Sequence, residues 1–139
     1  MSVWERLSVV DKVCEALGHV TLVNPGGHHF GRPFMTAYQL AIALDHAHPE
    51  VAEELGVGVG GAGTGSRNSL ARYLARELSA RIKHDSNDFP VEGAFLSNDH
   101  VAVLTFVGPD GVPRTSSVTD SGYDLSLFRL RSQTTSTVG

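Results

Sequence analysis

Residues 56–83 read GVGVGGAGTGSRNSLARYLARELSARIK: six glycines within ten positions, a short polar stretch, and then a long amphipathic run. Successive residues of a helix turn by about 100°. On that wheel Leu70, Leu74, Leu78 and Ile82 share one face, and Arg72, Arg76 and Lys83 share the opposite face with Ser79 beside them. Tyr73 and Arg81 flank the apolar stripe. The spacing predicts a helix over 69–84 that packs on one side and offers cations on the other, with Asn68 or Ser69 as its cap.

The glycines admit two enzymatic readings, and the neighbouring residues support neither. Gly58-x-Gly60-x-x-Gly63 matches the dinucleotide fingerprint, but that loop works only between a strand and a helix. Here the preceding PEVAEELG has the character of a helix. A phosphate-binding P-loop needs a lysine after its last glycine, whereas Gly65 is followed by Ser66 and Arg67. The loop therefore reads as a permissive connection delivering a helix N-terminus, whose free amides and positive dipole end favour an anion. Ser66, Arg67, Asn68 and Ser69 stand at that point. Such residues bond phosphate oxygens, and arginine and asparagine also read base edges.

Toward the N-terminus, apolar residues at three- and four-residue steps predict a helix over 3–18, stopped at Gly18. Val20 to Val23 reads as a short extended piece ending at the turn Asn24-Pro25-Gly26-Gly27. His28 to Pro33 is a loop, and Thr36 is the expected cap of a second helix, Ala37 to about Ala47. That helix is apolar nearly all round and is expected to be buried. Pro49 starts a short acidic helix that stops at Leu55-Gly56. Toward the C-terminus the character changes to short β-forming runs. Ala94 to Leu96 is one, His100 to Val107 is another, and 112–119 returns as its partner after the turn at 108–111. Tyr123 to Leu130 suggests a last strand, and the small polar 132–139 reads as a flexible tail. The expectation is one α+β domain over 1–131.

The chain has 139 residues, of which 41% are hydrophobic and 19% charged, which fits a soluble folded protein rather than a disordered one. No apolar run approaches the ~20 residues of a membrane span, and the N-terminal residues do not read as a signal peptide. Cys14 is the one cysteine, so no intrachain disulfide forms, and a cytoplasmic setting is expected. The formal net charge of −4 hides an uneven distribution. Between Arg67 and Lys83 five bases face Glu77 alone, whereas from Asp85 to Asp124 seven acids face Arg114 alone. Such a segment suggests a local contact surface for an anion.

The remaining chemistry is weak. His28, His29, His46 and His48 could lend nitrogen ligands, but no HExxH or paired-cysteine motif accompanies them, and no metal, cofactor or catalytic residue is assigned. Arg32, between Gly31 and Pro33 with Phe30 and Phe34 nearby, reads either as a phosphate contact or as a solvated charge beside core-sealing aromatics.

A helical unit, a basic amphipathic helix and a C-terminal β-hairpin together resemble a winged helix-turn-helix. That resemblance is architectural and rests on no family motif. It implies a nucleic-acid-binding domain with a role in transcription regulation, with duplex DNA favoured over RNA. Arg67, Asn68 and Ser69 would lie nearest base edges, Arg72, Arg76 and Lys83 on phosphates, and Arg114 of the hairpin on the backbone. Two alternatives stand beside it. One is a small metal- or nucleotide-dependent enzyme built on the glycine loop. The other is an assembly module that forms a homodimer or docks on an acidic protein.

Overall fold

The computed structural model describes residues 2–20, 31–60, 69–117 and 125–131. The region expected as one N-terminal helix is two, α1 (Val3–Arg6) and α2 (Val9–Gly18). Ser8 breaks them in the left-handed conformation, with φ 50° and ψ 51°. Packing demands the break, because it swings α1 so that Trp4 enters the core beneath Arg81. Apolar residues at positions 7 and 10 continue the three- and four-residue steps across the break, so periodicity alone hides it. The Lys12 ammonium donates to the carbonyl of Leu7, which stands at the break.

The short strand β1 (Met35–Thr36) leads straight into α3 (Ala37–Ala47). Thr36 caps that helix as expected, through a reciprocal pair: Gln39 N–H donates to Thr36 Oγ1 at 3.1 Å, and Thr36 N–H donates to Gln39 Oε1 at 2.7 Å. Helix α4 (Glu50–Leu55) follows, then α5 (Leu70–Asp85) and a single 3₁₀ turn, Ser86–Asp88. Four strands close the chain: β2 (Val91–Leu96), β3 (Val103–Val107), β4 (Pro113–Ser117) and β5 (Leu125–Leu130). This is an α+β fold of helices and small antiparallel sheets.

The strands form two sheets. One has the order β1-β5-β2 and the other is the hairpin β3-β4. Phe128 is central to the first, opposite Met35 on one side and Gly93 on the other, and is 2% exposed. The sequence reading found the β3-β4 hairpin and β5. It missed β1 and the start of β2, whose partner β5 lies far along the chain. The core joins these layers: Leu17 from α2, Leu40 and Leu44 from α3, Leu70, Leu74 and Leu78 from α5, and Val91 and Phe128 from the sheet are all essentially inaccessible. The hairpin is attached to this body by a stack of Phe106 on Tyr38, with centroids 5.7 Å apart and planes within 7°. The expected extended piece at Val20–Val23 and the expected tail at 132–139 lie largely or wholly outside the described residues.

Candidate nucleic-acid interface

Helix α5 divides as its sequence requires. Leu70, Ala71, Leu74 and Leu78 are buried, and Ile82 is partly so. Arg72, Arg76, Ser79 and Lys83 are exposed on the far side. Among the described residues, the Arg72 and Lys83 side chains have no ion-pair partner. Arg76 lies 6.0 Å above the Tyr73 ring and 4.0 Å from Glu77. Glu77 itself sits off the row and holds Arg81, whose guanidinium stacks on Trp4 at 4.3 Å. Arg81 is thereby taken into the packing, and the acid inside the basic segment is taken with it. Burial, and then the negative charge of Glu77, push the Tyr73 phenol above its ordinary value of 10.0, so it stays neutral beside the cationic row.

The start of α5 differs from the sequence expectation. The expected free amides are already bonded: Leu70 N–H donates to the Gly58 carbonyl at 2.8 Å and Ala71 N–H to that of Val59 at 2.9 Å. Arg72 N–H donates to Ser69 Oγ at 3.1 Å. A short parallel bridge between Gly58 and Ser69 thus satisfies the helix end from within the chain. Gly60 makes the close approach possible. It has φ +125°, and a Cβ there would stand 3.1 Å from the Ser69 side chain. Ser69 is 7% exposed, so its hydroxyl serves the cap. Anion attraction at α5 therefore falls to its side chains. Ser66, Arg67 and Asn68 lie outside the described residues.

Two other candidate arginines have neighbours that the sequence did not reveal. Arg32 Nη1 donates to the Val20 carbonyl at 2.7 Å and reaches that of Gly18 at 3.4 Å, which closes the end of α2. Arg114, on β4, pairs with Asp110 at 3.2 Å. Arg114 also shares a cavity of about 220 Å³ with Val59, whose carbonyl holds the first turn of α5. The hairpin cation therefore stands toward the N-terminal end of α5. The outer face of the sheet carries a cluster that sequence reasoning passed over. Arg129 and Arg131 both reach Glu92, and Arg129 also covers Phe34 at 4.3 Å and donates to the Arg32 carbonyl at 3.0 Å. Their alternation along β5 was a legible signal, but it requires the β2-β5 register to interpret.

The enzymatic alternative receives little from these positions. The segment entering the glycine loop is the helix α4, so no strand aims that loop. Among the described residues no three His, Cys, Asp or Glu side chains come together to hold a metal. His48 instead bridges carboxylates, 3.2 Å from Glu15 and 3.5 Å from Glu50. His28 and His29 lie outside the described residues. The Cys14 thiol is half-buried beside the core and is pushed up by burial, with Asp11 adding to the effect, which disfavours a nucleophilic thiolate. No helix of the described residues is long and apolar enough to cross a membrane. Comparison with protein-family models, with curated proteins and with solved structures found no match to this chain.

Proposed function

We propose that this chain is a duplex-DNA-binding domain of winged helix-turn-helix type, a regulator of transcription in which α5 lies in the major groove. The element order is compatible with the reading: two helices, a strand, three helices ending in α5, then a strand, the hairpin and a last strand, with the three-stranded sheet in the order β1-β5-β2. The observation that carries it is the cationic row Arg72, Arg76 and Lys83 on an exposed helix face backed by a full core, in which, among the described residues, Arg76 alone meets an acid, Glu77 at 4.0 Å. The row rises about 16 Å along the axis, and a B-form major groove is wide enough to take a helix. The deep, narrow major groove of A-form RNA is not, which favours DNA. Arg114 would meet the backbone from the hairpin.

In this reading Arg72, Arg76 and Lys83 neutralise phosphates, Ser79 accompanies them, and Arg67 and Asn68 approach base edges from just before α5. Fluorescence anisotropy with duplex DNA, single-stranded DNA and RNA at two salt concentrations tests it. Duplex DNA should bind best and weaken steeply as salt rises. Arg72→Ala should lower affinity and flatten the salt dependence by about 0.9 in log–log slope for each phosphate that is no longer neutralised. Alanine favours helix, so the triple alanine variant at 72, 76 and 83 should remain folded. Duplex affinity unchanged in that variant would overturn the reading.

A further inference from the structure

A second feature lies away from the cationic face of α5. A cavity of about 780 Å³ opens between α2, α3 and the β3-β4 hairpin. Its walls are mainly apolar, with Met35, Ile42, Ala43 and Leu44 on one side and Phe106 and Pro109 on the other. That volume falls in the range that holds drug-sized molecules, and a few convergent polar groups among apolar walls is how such sites are built. The two walls belong to different parts of the fold. One is the packed helical body, and the other is a hairpin that stacks on α3 through Phe106 and Tyr38.

The polar groups restrict what fits. Lys12, Glu15 and His48 lie at one end. Lys12 is already committed to the Leu7 carbonyl and, at 3.7 Å, to Glu50. Glu15 and Glu50 flank His48. Of these, Lys12 and Glu15 line the space and offset one another, and Lys12 is already engaged, so the lining holds no surplus cation for a carboxylate or phosphate ligand. Gln39 also lines the space. Its Oε1 accepts from Thr36 N–H, while its amide NH₂ has no partner among the described residues. That leaves a hydrogen-bond donor in the lining for an acceptor on a ligand. The aromatic ring of Phe106 and the flat flank of Pro109 suit a ring system.

We infer that this cavity is a binding site for an uncharged aromatic small molecule carrying a hydrogen-bond acceptor, held between the helical body and the hairpin. A molecule seated there touches both walls, so it fixes how the hairpin rests on α3. The inference does not depend on the DNA reading, and its test contains no nucleic acid, so either can fail alone.

The test uses N-phenyl-1-naphthylamine, an uncharged probe whose emission rises in apolar surroundings. The intact chain should bind it saturably at one site. 2-Acetylnaphthalene, uncharged and carrying a carbonyl acceptor, should displace the probe at concentrations at least about tenfold below those needed for the anion 2-naphthoate. A tenfold preference corresponds to about 1.4 kcal/mol. Ala43→Trp fills the cavity and should abolish probe binding while the far-UV circular dichroism stays native. Should that variant fail to fold, Ala47→Trp, at an exposed position on the rim, carries the same comparison. No saturable emission, binding retained in a folded filling variant, or a preference for 2-naphthoate would each overturn the inference.

Discussion

Ser69 shows how one side chain can be recruited to structure at the edge of a proposed recognition surface. Its residue type and position suit base or phosphate contact, but its hydroxyl accepts from Arg72 N–H and it is nearly buried. Ser69→Ala should therefore cost about 1 kcal/mol of stability, the usual effect of losing a cap. It should leave the salt dependence of DNA binding unchanged. Urea denaturation and anisotropy on the same variant separate the two effects. The contrast with Arg72, Arg76 and Lys83 explains what was legible at this scale. Their outward placement follows from helical period alone, and the sequence predicts it. The neighbours of Arg32 depend on where the chain returns in space, so the sequence could not assign them, whereas Arg114 pairs with Asp110 four residues away in its own hairpin turn.

At the scale of elements, α3 and α5 were readable because their apolar periods and caps are local. The break at Ser8 and the β1-β5-β2 sheet were not, because each is imposed by packing between distant segments. The hairpin is an intermediate case. Its two strands and turn are visible in sequence, but its docking on α3 is not. Gly108 shows how close that docking is: a Cβ there would stand 2.4 Å from Ile42 Cγ2. Isoleucine has little rotamer freedom in a helix, so Gly108→Ala should push the hairpin outward. The expected cost is about 1–3 kcal/mol, as for other overpacked sites. Denaturant unfolding measures it, and a change in the Phe106 and Tyr38 ring resonances locates it.

The hairpin turn also carries a pH signature. Asp110 is held below the ordinary carboxylate value of 3.8, first by the Val112 N–H at 3.0 Å and then by Arg114 at 3.2 Å. A folded value below the unfolded one means the contribution is fully present above pH 3.8 and is lost as pH falls through the lowered folded value. The Asp110 carboxyl resonance should titrate below 3.8, and Arg114→Ala should move its midpoint part of the way back, because the Val112 bond remains. A midpoint unmoved by that substitution would show that the ion pair has no influence on the turn.

For the whole molecule, the distribution of buried residues separates a self-sufficient body from an appended hairpin. Among the described residues, the essentially inaccessible side chains come from α2, α3, α4, α5, β2 and β5, and none comes from β3 or β4. The register of the three-stranded sheet makes the separation testable, because Leu96 and Leu125 are direct partners at the end of the β2-β5 ladder. A short turn containing Asn-Gly can therefore join them in place of residues 97–124, since such turns match the twist of antiparallel strands. The shortened chain should keep its helical circular dichroism and a cooperative thermal transition. Without the Tyr38–Phe106 stack and the packing of Gly108 on Ile42, part of α3 is exposed, so a drop of several degrees in Tm is expected. On the DNA reading the shortened chain also lacks Arg114 but keeps the α5 row. Duplex affinity should then fall less than in the triple variant at 72, 76 and 83, and the salt slope should change by about the amount due to one phosphate rather than three. A non-cooperative melt would mean that the hairpin is part of the folding unit. A loss of affinity equal to that of the triple variant would move the recognition surface from α5 to the hairpin.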